Sequence, residues 1–421
     1  MLTRGVLYRV KLVRGERVRI LISGAGIAGP TLAYWLNRQG FPVTLVEKSP
    51  VLRTGGYVID FWGAGYEIAE RMGLLPELKQ KGYIVREVRV VDRDGRRISG
   101  FRADTFSRIT GGRYLSLSRG DLAAAIFGLI EGRVESIFGD GVQCIDQDEG
   151  GARVTFESGS EREFDLVIGA DGLHSRVREI AFGPEPQFEN YLGYKVAALE
   201  VDGYAPRDEL VYVMYTEVGR QIARFSMRGN RTMFLFTFAD SNLDIGDLPD
   251  QKHVLREQFG KGGWECPQIL DALDQASQLY FDRVSQIRMG PESWSRGRVS
   301  LVGDAAFCVS LLAGQGSALA MTAAYLLAHA LTHCNGDYRR AFVSYQDSFG
   351  PFVLRKQKAA LAFANFFAPK SGFSLFARNL GMRFMNVPWI ACLAMGRDLK
   401  DRIEIPAEDP LLTRGVPITG R

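Results

Sequence analysis

The segment from Val18 to Glu47 constrains this chain more than any other. Val18-Arg-Ile-Leu-Ile-Ser23 is a β-rich apolar run, Gly24-x-Gly26-x-x-Gly29 follows at once, and Pro30-Thr-Leu-Ala-Tyr-Trp-Leu36 opens a helix. The helix stops near Gly40, and a second strand, Pro42 to Val46, ends at Glu47. Strand, glycine turn, helix and strand within about 30 residues make a parallel βαβ unit. The first glycine permits the tight turn, the second lets a pyrophosphate approach the backbone, and the third lets helix and strand pack closely. Phosphate charge then sits on the free N–H groups of the helix N-terminus. Glu47, 23 residues past Gly24, suits a ribose 2′-OH, and its charge disfavours a 2′-phosphate. The unit reads as a dinucleotide site. Ile27 and Ala28 in the turn and Lys48 after Glu47 join it as candidate cofactor contacts.

Two later runs share one grammar: Phe164-Asp-Leu-Val-Ile-Gly-Ala-Asp171-Gly172 and Arg298-Val-Ser-Leu-Val-Gly303-Asp304. Each is short and apolar, as a strand covered on both faces must be, and each ends in a Gly/Asp turn. Such turns lie at a sheet's carboxyl edge, where ligands bind. A simple NAD dehydrogenase builds its nicotinamide site soon after the fingerprint. Here Asp304 comes 280 residues after Gly24, followed by Gly314-Gln315-Gly316 and a helix. An Asp there suits a polyol chain, and a helix N-terminus suits negative charge on a ring system. Both point to a flavin dinucleotide.

Between these runs, residues 191–240 alternate with period two, as in Glu209-Leu-Val-Tyr-Val-Met-Tyr215 and Thr232-Met-Phe-Leu-Phe-Thr-Phe238. They predict an antiparallel sheet, to which Ile84–Arg93 adds strands. The run Met233–Phe238 suits a cavity wall and a packed face equally. Helices are predicted over Ser317–Thr332 and Tyr338–Phe367, with an apolar stretch on to about Leu399. The expected fold class is α/β: a Rossmann-like FAD-binding domain with an inserted antiparallel-sheet substrate domain and C-terminal helices. The expected boundaries are 1–17 for a disordered extension, 18–83, 98–184 and 281–350 for the FAD-binding domain, 84–97 and 185–280 for the substrate domain, and 351–421 for the C-terminal helical segment.

Composition excludes several other classes. The 421 residues carry a formal charge of +4, and all of it lies in residues 1–17, which hold five basic side chains against Glu16. The rest is balanced, so no basic face argues for nucleic acid. The five cysteines are scattered without a C-x-x-C, which fits a reducing cytoplasm and no zinc site. His329 and His333 have zinc-pair spacing but no visible third ligand, so no metal is expected. No apolar run reaches the ~18 residues of a membrane span. Residues 361–395 suit a terminal helical layer better than a membrane-surface helix.

Three motifs in order, Gly24-x-Gly26-x-x-Gly29, Asp171-Gly172-x-x-Ser175-x-x-Arg178 and Gly303-Asp304, resemble the single-component FAD-dependent aromatic hydroxylases related to para-hydroxybenzoate hydroxylase. The segments Arg53-Thr-Gly-Gly-Tyr-Val-Ile-Asp60, Gly263-Trp-Glu-Cys-Pro-Gln-Ile-Leu270 and Gly336–Tyr345 narrow the likeness to tetracycline-inactivating flavin monooxygenases and their relatives. The resemblance implies non-covalent FAD, reduction by NAD(P)H without a second nucleotide domain, and oxygen transfer from a flavin C4a-hydroperoxide to an aromatic or polyketide-like small molecule. It implies that Arg53 and Arg119 contact the FAD phosphate or ribose. Asp171 would lie in the segment shared by FAD and NAD(P)H. Gly303, Asp304, Gly316 and Ser317 would hold the flavin end, with Gly314, Gln315 and Gly316 lining the reacting edge. A monomer or homodimer is expected. Alternatives are a FAD enzyme without oxygen insertion and a flavin-binding protein that sequesters a ligand. One departure stands out. Phe307–Ala313 lacks the prolines that relatives carry there, and Ser317 replaces a common Asn, so this loop is expected to be freer. Cys308 within it reads as a buried apolar cysteine rather than a flavin attachment point.

Overall fold

The structure is a computed structural model that describes residues 18–53, 57–103, 107, 110–276, 278–290, 294–334, 337–385 and 403–407. The expected N-terminal extension and much of the stretch after Met385 lie outside the described residues.

The apolar runs form one six-stranded sheet, ordered in space Ser295–Arg296, Val299–Leu301, Leu166–Gly169, Ile20–Ser23, Val43–Glu47, Glu135–Phe138. All neighbours are parallel except the first pair. Numbered along the chain, the parallel strands fall 3-2-1-4-5, a doubly wound order. Ile20–Ser23, Val43–Glu47, Leu166–Gly169 and Val299–Leu301 are buried at every residue, as strands covered on both faces are. The helices Ala28–Arg38 and Gly316–His333 pack together above them. The order reverses between Ile20–Ser23 and Leu166–Gly169, so a crevice opens at their carboxyl ends.

A seven-stranded sheet is ordered Tyr280–Ile287, Glu189–Asp202, Arg231–Ala239, Arg220–Ser226, Val211–Glu217, Glu87–Val91, Arg97–Arg102. Its pairs are antiparallel except Val211–Glu217 with Glu87–Val91. Two expected edges move on this evidence. Arg97–Arg102 pairs with Glu87–Val91, and Tyr280–Ile287 pairs with Glu189–Asp202. Both strands belong to this sheet rather than to the dinucleotide unit, because each completes the hydrogen bonds of a neighbour that would otherwise be an open edge. The ambiguity of Met233–Phe238 resolves by period two. Phe234, Phe236 and Phe238 pack against helices Leu248–Phe259 and Cys266–Gln275, while Met233 and Leu235 face the opposite cluster.

A two-stranded ribbon, Val58–Trp62 with Tyr114–Ser118, lies between the two large sheets. Helices Tyr338–Phe367 and Gly372–Phe384 follow as a terminal layer. The second docks on strand Arg97–Arg102, where Ser99 Oγ donates to Asn379 O at 2.6 Å and Arg383 donates to Ile98 O. Among the described residues no helix is long and apolar enough to cross a membrane.

Candidate functional site

The carboxyl ends of the parallel strands meet around a cavity of about 700 Å³. The turn after the first strand is shaped by three close approaches. Gly24 has φ +108°, and a Cβ there would lie 2.5 Å from Ala170 O. A Cβ on Gly29 would lie 1.9 Å from Gly24 O, and one on Gly303 (φ +67°) 3.0 Å from the Ala28 Cβ. Gly26 is open on its cavity side except for the Arg119 guanidinium, 3.5 Å from where a Cβ would stand. Gly24, Gly26, Ile27 and Ala28 line the cavity; Gly29 and Gly303 shape it from behind.

Glu47 is buried beside this turn. Its Oε2 accepts the Ala25 N–H at 2.8 Å, its Oε1 accepts the Ser49 N–H at 3.0 Å, and Arg53 stands 3.4 Å away. Oε1 accepts from both Ser49 and Arg53, so it is Oε2 that keeps a lone pair for a further donor. Lys48 pairs with Glu157 at 2.9 Å, so the turn after the strand Ala152–Phe156 closes this end together with Gln143. Arg119 begins the helix Arg119–Gly128 and lines the cavity; its backbone N–H donates to Tyr57 O at 3.0 Å, while its guanidinium has no hydrogen-bond or ion-pair partner among the described residues. A guanidinium with five donors and none engaged is an anion site in waiting.

Asp171 lines the cavity too, but its carboxylate is spent on its own turn. Oδ1 accepts Ser175 Oγ at 2.5 Å and Oδ2 accepts the Val177 N–H at 3.0 Å. Ser175 Oγ in turn accepts the Arg178 N–H at 3.0 Å, and the fully buried Arg178 donates to Ala305 O at 3.1 Å and Leu173 O at 2.7 Å. This motif therefore staples the Asp171-Gly172 turn to the Gly303-Asp304 turn.

Asp304 differs from Asp171. No backbone N–H among the described residues donates to its carboxylate, and Gly303 before it has no side-chain cap. Burial raises its carboxyl above the ordinary range, with Arg119 and the Cys308 thiol pulling the other way. Gly316 and Ser317, the first residues of the 18-residue helix Gly316–His333, line the cavity beside it, as does Gly314. The first turn of that helix contributes uncommitted N–H groups and a positive dipole end. The helix is seated by Gly65, where a Cβ would meet the Ala318 Cα at 2.4 Å. Gln315 is the exception among the expected residues. It holds the N-cap position, its side chain makes no cap, and it does not line the cavity, because the backbone there turns into the helix.

The proline-free loop is not free. Buried Gln357 Nε2 donates to Ile287 O at 2.7 Å and to Cys308 O and Phe307 O, while buried Gln286 Nε2 donates to Val309 O at 3.0 Å. The Ile287 N–H also donates to Cys308 O. Two side-chain amides thus do what ring rigidity does elsewhere, and they hold Ser310 at φ +113°. Gln357→Leu should lower stability by about 2–3 kcal/mol, since it leaves buried carbonyls unpaired. Amide exchange at 307–313 should quicken with it. Unchanged melting and exchange would show that the clamp is idle. Cys308 is buried, and burial, then Asp304, pushes its thiol well up; a protonated thiol is a poor nucleophile.

Sequence reasoning missed Tyr57, His174, Tyr280, Arg283 and Ser285, all of which line the cavity. The Tyr57 and Tyr280 rings stand 5.5 Å apart near Asp304, and burial pushes the Tyr57 hydroxyl up to about 12. His174 bridges two units: Nδ1 meets Glu185 at 2.9 Å and Nε2 meets Asp282 at 3.2 Å. Hydrogen bonds to Asp282 and Glu185 push its pKa up from 6.5 to about 10. A pKa raised on folding stabilises fully below the unfolded value near 6.5, and that contribution is lost as pH rises through about 10. The melting-temperature gap between wild type and His174→Gln should therefore narrow from pH 6 to pH 10, and narrow further in high salt because the ring is half-exposed. A gap independent of pH would remove the ion pairs from the argument. The signal for His174 was present, since it lies inside the Asp171–Arg178 motif. The strand residues Tyr280, Arg283 and Ser285 carried none.

A family model described as FAD binding domain matches residues 130–341. The chain is 34% identical over 345 residues to a flavin-dependent monooxygenase from an unknown prokaryotic organism, covering 82% of this chain and 88% of that protein. The chain belongs to the FAD-dependent monooxygenases. It is also 40% identical over 345 residues to an uncharacterised protein of Mycobacterium tuberculosis, covering 80% of this chain and 91% of that one. The crystal structure of tetracycline destructase Tet(51) superposes with a TM-score of 0.78 at 30% identity, covering 93% of this chain and all of that one. This monooxygenase thus uses FAD in the doubly wound unit just described, with a separate sheet-rich region beside it.

Proposed function

We propose that this monooxygenase hydroxylates an aromatic or polyketide-like small molecule with NAD(P)H as electron donor, and that FAD lies along the cavity from Glu47 to Gly316. One observation carries the cofactor placement: the Arg119 guanidinium, unpartnered among the described residues, stands over the glycine turn where a pyrophosphate would lie. Around it, the remaining residues fit the rest of the group. Glu47 keeps acceptor capacity for a ribose hydroxyl, with Arg53 and Lys48 at the same end. Asp304 has a carboxylate that no backbone N–H among the described residues engages, with acceptor capacity for a polyol. The helix beginning at Gly316 offers N–H groups and a dipole to the electron-rich edge of the ring. Bound FAD supplies the redox chemistry, accepting electrons and passing them to O2 so that one oxygen atom reaches the substrate.

The chain's own part is binding, orientation and exclusion of water. Gly24 and Gly29 hold the turn, and Arg178 and Asp171 lock the Asp171-Gly172 turn against Ala305. Gln286 and Gln357 fix the loop on which Cys308 and Ser310 face the cavity. Tyr57 and Tyr280 wall the reacting end with hydroxyls that stay protonated. The division of labour follows: a discontinuous FAD-binding domain, a substrate domain built on the seven-stranded sheet, and a C-terminal helical segment. The cysteines support a cytoplasmic setting; Cys144, Cys266, Cys308 and Cys334 are unpaired.

Purified protein should be yellow and release FAD on denaturation, and substrate-stimulated NAD(P)H oxidation with O2 uptake should separate oxygen insertion from mere flavin binding. Colourless protein that takes up no flavin on reconstitution would overturn the placement. Arg119→Met removes no hydrogen bond to the described protein, so the apoprotein should melt as wild type does. FAD affinity should fall about ten- to a hundredfold, the value of charge-assisted bonds to phosphate. Equal FAD affinity in the two proteins would put the pyrophosphate elsewhere.

A further inference from the structure

The charge balance of the whole chain hides one lopsided stretch. From Ser348 to Arg397, 50 residues hold seven lysines and arginines and no aspartate or glutamate. The described part of that stretch is the second half of the helix Tyr338–Phe367 and the helix Gly372–Phe384.

The shorter helix reverses the usual order of its faces. Arg378 and Met382 are buried, and Arg378 donates to Gln221 Oε1 at 3.3 Å, so the charged side chain points into the protein. Phe373, Phe376, Leu380 and Phe384 fall within an arc of about 80° on the opposite side, at 3.6 residues per turn. They are 82%, 65%, 42% and 50% exposed. An ordinary surface helix turns its apolar stripe to the core and its charge to water. A capping box between Ser371 and Ser374 holds the first turn, and Arg383 ties the last turn to Ile98 O, so the chain's own residues fix this face in place.

The surroundings of the arc are basic. Lys370 is exposed just before the first turn, and Arg383 lies in the last. The strand beneath, Arg97–Arg102, adds two arginines and no acid, and Arg97 meets Glu87 of the neighbouring strand at 3.1 Å. The preceding helix repeats the composition at its exposed residues Leu354, Arg355, Lys358 and Leu361. Whatever covers the arc must therefore accept apolar side chains at the centre and positive charge at the margin. A second copy of the chain would set like charge against like charge. An anionic bilayer offers apolar depth beneath a layer of phosphates and meets both demands.

We propose that the outward face of the helix Gly372–Phe384 rests on an anionic phospholipid surface, with Phe373, Phe376, Leu380 and Phe384 in the headgroup region and the lysines and arginines at the margin near lipid phosphates. The helix lies along the surface and does not cross it. The inference stands apart from the placement of FAD.

The test floats the FAD-loaded full chain with vesicles of equal parts phosphatidylcholine and phosphatidylglycerol, and with vesicles of phosphatidylcholine alone. The anionic vesicles should bind it about tenfold or more tightly, with the difference closing in high salt. Phe373→Gln combined with Phe376→Gln should cut that binding by about tenfold or more. Melting temperature and flavin content should stay at wild-type values, since both rings stand in water in the free protein. Phe376→Trp should bind as wild type does, and brominated lipid should quench its emission more than that of wild type. No binding by the full chain, equal binding to both vesicles, or binding that the glutamine pair leaves intact would each overturn the proposal. If the glutamine pair misfolds, Phe376→Trp decides, and emission that brominated lipid leaves unquenched overturns it. A dimer in lipid-free solution that the glutamine pair dissolves would give the face to a second copy and overturn it as well.

Discussion

Gly29→Ala should give a protein that takes up no FAD and melts far below wild type. The added Cβ would lie 1.9 Å from Gly24 O, and that neighbour is backbone in a turn with its own positive φ. No rotamer change relieves such a contact, so the helix Ala28–Arg38 must move away from the first strand. That helix is buried from Ala28 to Leu36, and moving it opens the core on both sides. Overpacking of this kind costs about 1–3 kcal/mol or more. The displacement also withdraws the helix N-terminus from the pyrophosphate position. Gly128→Ala is the control, since its Cβ would meet nothing within 4 Å and it stands at a helix end. It should melt at or slightly above wild type. Thermal melts with flavin absorbance check both, and a Gly29→Ala protein with wild-type flavin content would refute the close-packing argument.

Asp304→Ala should keep the fold and lose the reaction. Its carboxylate accepts no backbone N–H among the described residues, and burial disfavours its charge, so the apoprotein should melt at or above the wild-type temperature. The increase in melting temperature on adding FAD should shrink. Turnover per bound flavin should fall further, by about a hundredfold if the ring system shifts by about 1 Å. An Asp304 that merely capped the short helix Asp304–Phe307 would behave oppositely: the apoprotein would lose ~1 kcal/mol and the flavin would be untouched. If FAD raises the melting temperature of both proteins equally and turnover per flavin is unchanged, Asp304 does not hold the polyol.

The two predictions draw on different levels of information. Gly29 was legible as a packing glycine from its place in Gly24-x-Gly26-x-x-Gly29, because strand, turn and helix are contiguous and their geometry leaves few options. Asp304 was legible because an apolar strand ends on it. In contrast, Gln315 was expected at the reacting edge and is not there, since sequence neighbours on a helix start point in different directions. The expected boundaries at 97/98 and 280/281 cut through the strands Arg97–Arg102 and Tyr280–Ile287, which join the seven-stranded sheet, for a related reason. A strand's own pattern shows that it is a strand, not which neighbour it pairs with.

By itself, the sequence determined the parallel unit around the glycine turn, the antiparallel sheet, the long helix Tyr338–Phe367, and the position of Glu47 and Asp304 at the carboxyl ends of parallel strands. These follow from local periodicity and from the rule that a doubly wound sheet presents its strand ends on one side. Only the tertiary structure decided that Gln286 and Gln357 clamp a loop without prolines and that His174 joins Glu185 to Asp282. Each of these joins residues far apart in the chain whose own neighbourhoods look ordinary. A glutamine or a histidine acquires such a role only from what packing brings against it, and packing depends on which faces of distant elements are buried together.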